Sequence, residues 1–106
     1  MAKNDSLQGT LDLAVLKIFS RRPRLHGYGL MTAIADTSDA VLRAEEGFLY
    51  PALHRMEEAG WIRAERESGR RIRVYELTKA GKEQLAQEER RWQTVAAAVN
   101  RVLRMA

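Results

Sequence analysis

Cysteine is absent from this 106-residue chain, which excludes disulfides and thiolate metal sites. Only two histidines occur, His26 and His54, and no Cys/His spacing supports a metal. The two prolines fall at punctuation points: Pro23 after a predicted helix stop, Pro51 near a predicted helix start. No apolar run reaches membrane-spanning length. The opening Met1-Ala2-Lys3-Asn4-Asp5-Ser6 lacks the apolar stretch of a signal peptide. The expectation is a cytoplasmic protein without a membrane partner. Catalytic signatures are missing as well. There is no cysteine nucleophile, no Ser/His/Asp arrangement in recognisable context and no P-loop. Gly27 and Gly29 form a lone G-x-G without the parallel βαβ pattern of a dinucleotide fold. Glu57-Glu58 and Glu88-Glu89 occupy consecutive helix positions, so their carboxylates diverge toward solvent. The expectation is no enzyme, no cofactor and no metal.

What remains is an ordinary soluble composition, 45% hydrophobic and 30% charged, of a length that predicts one domain. The net charge of +4 favours polyanionic partners, but it is common enough that its distribution matters more than its sum. A domain this small buries a modest fraction of its surface, and a second copy of the chain would add to its core.

Apolar periodicity predicts a first helix over 7–22, with Ser6 as N-cap and Pro23 beyond its end. Leu7, Leu11, Ala14, Val15 and Ile18 form one face, and Leu13, Leu16 and Phe19 extend it around the circumference. Such a helix needs cover on two sides, from its own core and from a partner subunit. A second helix is predicted over 28–37, buried through Leu30, Met31, Ile34 and Ala35. A connection over 36–47 follows, in which Val41 and Leu42 suit a short strand. The third helix, 48–60, has an apolar stripe of Leu49, Leu53 and Met56, with Tyr50, His54 and Arg55 off it; Gly60 supplies its stop. Segments 61–67 and 71–77 then read as strands around the turn Ser68-Gly69-Arg70. Segment 61–78 carries five arginines (63, 66, 70, 71 and 73) against three glutamates (65, 67 and 76). Thr78 caps a last helix reaching about residue 104. In it Leu85, Trp92, Val95, Val99 and Val102 approximate a heptad seam that Glu88 interrupts.

A short helix followed at once by a basic hairpin is the layout of a winged helix-turn-helix. The expected fold class is mainly α with a small β-hairpin wing and a long C-terminal dimerisation helix. The expected organisation is a DNA-binding unit over 1–78 and the dimerisation helix over 79–106, in one compact body.

Several segments together resemble the PadR family of bacterial transcriptional regulators, in its compact branch with a single C-terminal helix. They are Gly9-Thr10-Leu11-Asp12-Leu13 with Val15-Leu16, Leu25-His26-Gly27-Tyr28-Gly29, Glu46-Gly47, and Leu49-Tyr50-Pro51-Ala52-Leu53-His54-Arg55-Met56-Glu57. Gly60-Trp61-Ile62, Tyr75-Glu76-Leu77-Thr78 and Ala80-Gly81 complete the set. The resemblance spans nearly the whole chain. It implies a dimeric winged-helix repressor whose C-terminal helix packs on the partner's first helix, and which responds to small aromatic or drug-like effectors. One position departs: the family usually has Ser or Thr where this chain has Phe48, which neither caps a helix nor reaches a phosphate. That leaves Phe48 to pack beneath the helix or to touch a thymine methyl.

The expected DNA contacts are Phe48, Tyr50, His54 and Arg55 on the reading helix, with Arg55 on guanine and Tyr50 on phosphate. Wing arginines Arg70, Arg71 and Arg73 would meet the backbone or a minor groove. Glu45, Glu46, Glu57 and Glu58 flank Arg55, so most affinity is expected from the wing and from Arg21, Arg22 or Arg24. The expected operator is double-stranded and pseudo-palindromic. The expected homodimer interface comprises Leu13, Leu16, Leu85, Trp92, Val95, Val99 and Val102, and paired Trp92 rings would sandwich a flat ligand. The alternative is a winged helix serving only as a protein-binding module, without sequence-specific DNA binding.

Overall fold

The computed structural model describes residues 5–67, 69 and 72–106, with side chains of the first helix from Gly9 onward. Ser6 and Leu7 therefore contribute no side-chain observation, and Arg70 and Arg71 lie outside the described residues. Seven elements follow in order: α1 Asp5–Arg21, β1 Leu25–His26, α2 Gly27–Thr37, α3 Glu46–Glu58, β2 Ile62–Arg66, β3 Arg73–Leu77 and α4 Lys79–Leu103. The architecture is mainly helical with a small antiparallel sheet, as the sequence predicts.

The core gathers one stripe from each helix. Val15, Leu16 and Phe19 of α1 meet Leu30 and Ile34 of α2, and Leu49, Leu53 and Met56 of α3, and Leu11 of α1 is buried as well. Ile62 and Tyr75 close it from the sheet, where the Phe19 and Tyr75 ring centroids lie 6.2 Å apart. The long apolar circumference of α1 is thus divided. One face is buried, while Leu13, Ala14 and Ile18 on the other stay half-covered.

The sheet has three strands rather than two, in the order β1-β3-β2. Leu25 pairs with Tyr75 and His26 with Val74, while β2 and β3 form the hairpin from Ile62↔Leu77 to Arg66↔Arg73. The extra strand is only Leu25–His26, too short to alternate, so periodicity alone does not show it.

The connection after α2 also departs from expectation. Residues 41 and 42 form no strand. Ser38 closes a turn instead: its hydroxyl donates to the Ile34 carbonyl at 2.7 Å and accepts from the Leu42 N–H at 2.9 Å. Asp39 and Ala40 take positive φ (53° and 63°), a region that side chains other than glycine enter at a cost.

Helix α3 begins two residues earlier than predicted, making Pro51 its sixth residue. The missing Pro51 N–H leaves the carbonyl of Gly47 unpaired along the helix, and Gly47 is exposed, so water can serve it. The other end closes as read. Gly60 sits at φ 83°, its N–H donates to Glu57, and the Trp61 N–H donates to Met56, which is the paired Schellman closure.

Thr78 joins three elements. Its hydroxyl donates to the Gly60 carbonyl at 2.6 Å and accepts from the Gly81 N–H at 3.0 Å, capping α4. Gly81 is buried where any Cβ would strike the Trp61 carbonyl oxygen and Leu77. Helix α4 then runs back across α1, held by Leu85 and by Lys17 to Glu89 at 3.5 Å. Its 25 residues span about 37 Å at 1.5 Å per residue, and beyond Glu89 little of it is covered. The long axis of the molecule is accordingly 60 Å against 28 and 27 Å for the others.

Two expected interface residues belong to the chain's own core. Leu16 is fully buried and Leu85 is 7% exposed, so neither has surface to offer a partner. Helical periodicity finds both apolar faces of a helix but does not say which one its own domain covers. The remaining five are available: Leu13 is half-covered, and Trp92, Val95, Val99 and Val102 are 49%, 48%, 50% and 62% exposed.

Candidate nucleic-acid interface

Helix α3 buries Leu49, Ala52, Leu53 and Met56 and turns Tyr50, Pro51, His54 and Glu58 outward. The outward set follows from the 3.6-residue period once the buried stripe is seated. Tyr50 leans back onto the start of α2, where Gly27 leaves room for its ring: a Cβ there would lie 2.6 Å from the Tyr50 hydroxyl oxygen. His54 is well exposed, with Nε2 3.4 Å from Glu58 one turn on. Phe48 is half-buried.

Arg55 turns inward. Its Nη1 donates to Oδ2 of Asp12 at 2.8 Å and its Nη2 to Oδ1 at 3.2 Å, a two-pronged pair binding α3 to α1. In the protomer the fork expected to read guanine is occupied by this carboxylate.

The wing and its base form a ladder of opposite charges. Arg63 donates to Glu76 across the hairpin at 2.7 Å, Arg24 meets Glu65 at 3.5 Å, and His26 meets Glu67 at 3.0 Å. The hydrogen bond from Arg63 holds the Glu76 carboxyl below the ordinary carboxylate value, and the same bond keeps Arg63 charged. Arg73, half-exposed, donates from Nη2 to Glu57 at 3.0 Å and sits 5.8 Å from the Tyr75 ring centroid. These pairs neutralise several of the arginines that make the segment look basic.

One further cation emerges. Arg66 is the register partner of Arg73, is exposed, and makes no ion pair among the described residues. Two like charges directly across a ladder cost stability. Segment composition includes Arg66 among the five arginines, but only the strand register shows that it stands beside Arg73. Arg21 and Arg22, at the end of α1, are exposed and also without an ion pair among the described residues.

A separate groove lies between α1 and α4. Two adjoining cavities of about 300 and 320 Å³ share Thr10, Leu13 and Trp92, with Val95 and Ala14 in their walls. The exposed seam of α4 continues from this groove toward Leu103. No helix among the described residues is long and apolar enough to cross a membrane.

A model of the transcriptional regulator PadR-like family matches residues 15–87, from the buried face of α1 through the first turns of α4. The chain belongs to the PadR-like family. Solved PadR-like structures show the same architecture. A PadR-like transcriptional regulator of Bacillus cereus is 28% identical, covers 96% of this chain and 99% of its own, and superposes with a TM-score of 0.80. A putative transcriptional regulator of Thermoplasma acidophilum is 28% identical over 96% of this chain and 98% of its own, with a TM-score of 0.78. A transcriptional regulator of Clostridium thermocellum, 23% identical over 95% and 97%, shares the fold with a TM-score of 0.85. No curated protein sequence matches significantly. The PadR-like winged helix described above is therefore that of a transcription regulator.

Proposed function

We propose that the protein is a homodimeric repressor that binds a pseudo-palindromic operator and is released by a small aromatic effector. The observation carrying this reading is the pairing of two unsatisfied surfaces: the outward face of α3 beside the wing, and the exposed apolar seam of α4. In the proposed organisation, residues 1–78 contact DNA and 79–106 associate the protomers. Each α3 enters a major groove with Tyr50 and His54 foremost, and Phe48 packs beside them near the helix start. Arg66, Arg73, Arg70 and Arg71 meet the backbone, joined by Arg21 or Arg22. Arg55 acts through Asp12 to hold the reading helix at its angle. Trp92, Val95, Val99 and Val102 meet α1 of the partner near Leu13, and the groove at Trp92 admits a flat ligand.

The deciding experiment titrates the purified protein against its own upstream DNA and a scrambled duplex at several salt concentrations. Preference for its own DNA, with affinity falling as salt rises, is the expected result. Equal weak binding to both duplexes at every salt refutes operator recognition in that DNA and favours a winged helix that serves a protein partner. Arg70→Ala with Arg71→Ala should weaken binding to all sequences and flatten the salt dependence. Val99→Asp should convert the sedimenting species to monomer; an intact dimer would exclude the α4 seam. Trp92→Ala in a dimer that still binds an inducer should lower inducer affinity, and unchanged affinity would remove Trp92 from the ligand site.

A further inference from the structure

A cavity of about 520 Å³ lies where the start of α2, α3 and β3 converge, lined by His26, Gly27, Tyr28, Tyr50, Arg73 and Tyr75, with Ile72 as its apolar edge. It opens beside the face of α3 assigned to DNA above. Three observations bear on what it holds. First, α2 begins without a side-chain cap. His26 occupies the N-cap position in extended conformation and makes no capping bond; its ring is drawn to Glu67 instead. Gly27 and Tyr28 of that first turn line the cavity, at the positive end of the helix and without a side-chain cap. Second, the absence of a Cβ at Gly27 lets the phenol end of Tyr50 rest against that first turn.

Third, Tyr75 is only 5% exposed, yet its side chain makes no hydrogen bond among the described residues. No fully buried side-chain oxygen or nitrogen among the described residues lacks a partner, so the Tyr75 hydroxyl is open where the residue lines the cavity. A hydroxyl at the end of an otherwise buried ring is left to bond whatever enters the cavity. Burial also pushes the Tyr75 phenol above its ordinary value, with Glu57 adding to the rise and Arg73 opposing it. The group remains a proton donor well above neutral pH.

Resting on the DNA-binding reading, we propose that this cavity seats one phosphodiester of the operator backbone, held by the first-turn N–H groups of α2 and by the hydroxyls of Tyr50 and Tyr75, with Arg73 at the rim. The cluster is nearly neutral, because Glu57 bonds one terminal nitrogen of Arg73 through both carboxylate oxygens, at 3.0 and 3.3 Å. Recognition here is accordingly by oriented neutral donors more than by counter-charge. Such a contact fixes the register of the protein on the duplex and is blind to base sequence.

The test compares wild type with Tyr75→Phe on the duplex that wild type binds and on a scrambled duplex, across a salt series. The expected result is a loss of about tenfold on both duplexes, the usual scale of one hydrogen bond to a charged acceptor. The slope of affinity against salt should not change, since no cation is removed. The thermal midpoint should be unchanged too, since the hydroxyl has no partner among the described residues. Gly27→Ala, which pushes the Tyr50 ring out of place, should give a similar loss. Single uncharged methylphosphonate substitutions along the duplex should weaken wild type at one phosphate per half-site, and weaken Tyr75→Phe less at that phosphate. Unchanged affinity in both variants, or a loss confined to the operator, overturns the seat while leaving DNA binding intact. A wild type that binds no duplex overturns both readings, and a cavity that then takes an anionic small molecule would be a ligand site.

Discussion

Removing Asp12 tests what holds α3, the proposed reading helix, in place. Asp12 and Arg55 stand 43 residues apart and share two hydrogen bonds, at 2.8 and 3.2 Å, with side chains 16% and 39% exposed. A hydrogen bond to a charged group typically contributes about 1.5–3 kcal/mol. Here the partial exposure of the guanidinium lowers that figure, because water screens the pair and can solvate the orphaned cation. Asp12→Ala and Arg55→Ala should each cost about 2 kcal/mol. The double variant should cost about 2.5 kcal/mol rather than the additive sum, a coupling of about 1.5 kcal/mol. In thermal terms each single change lowers the midpoint by about 10 °C. The assay is urea unfolding followed by tryptophan fluorescence at one fixed protomer concentration. Additivity within about 0.5 kcal/mol would refute a bond that couples α1 to α3. DNA binding supplies a second readout. If Arg55 positions the helix, Asp12→Ala and Arg55→Ala weaken operator binding alike. If Arg55 reads guanine, only Arg55→Ala relaxes specificity at a defined base pair.

Three other outcomes follow from the packing and the charges. Gly81→Ala should destabilise by about 2 kcal/mol or more in a denaturant melt. Its Cβ meets the Trp61 backbone oxygen, which cannot move aside, and this outweighs the better helix propensity of alanine. Gly47→Ala places a Cβ in open space within α3 and should raise stability by about 0.5–1 kcal/mol; a fall would contradict the helical conformation assigned there. Glu76 has its carboxyl lowered from the ordinary 4.5 by Arg63, so the stabilising contribution of this pair is present above pH 4.5 and disappears as pH falls through the lowered value. Arg63→Gln should remove that component of the acid transition, measured by circular dichroism from pH 6 to about 2, and an unchanged acid limb would exclude it.

How far the chain is legible depends on the range of the interaction that decides each feature. The stripe Leu49, Leu53, Met56, the Gly60 closure, the Thr78 cap and the long final helix are local, and each appears where pattern places it. β1 is two residues long and exists because Leu25 and His26 meet Tyr75 and Val74, so no local signal announces it. The turn at Asp39 and Ala40 depends on the Ser38 hydroxyl, in conformations that neither residue type requires. Site electrostatics are the least legible. Arg55 and Arg73 look available along the chain, but Asp12 and Glu57 meet them only after folding. Leu16 and Leu85 share the same limit: their apolar character is plain, and the domain that covers them is a tertiary fact.

The junction at Thr78 has a mechanical consequence. One hydroxyl fastens the end of α3 to the start of a rod about 37 Å long, with the Gly81 backbone pressed against Trp61. A tilt of about 5° at this hinge-free root sweeps the far tip through about 3 Å over that length. Run in reverse, a clamp on the tip would act on the winged head through this root. A single side chain that thickens or thins the packing near Trp92 would then tilt this rod at its far end, in the manner of a tiller.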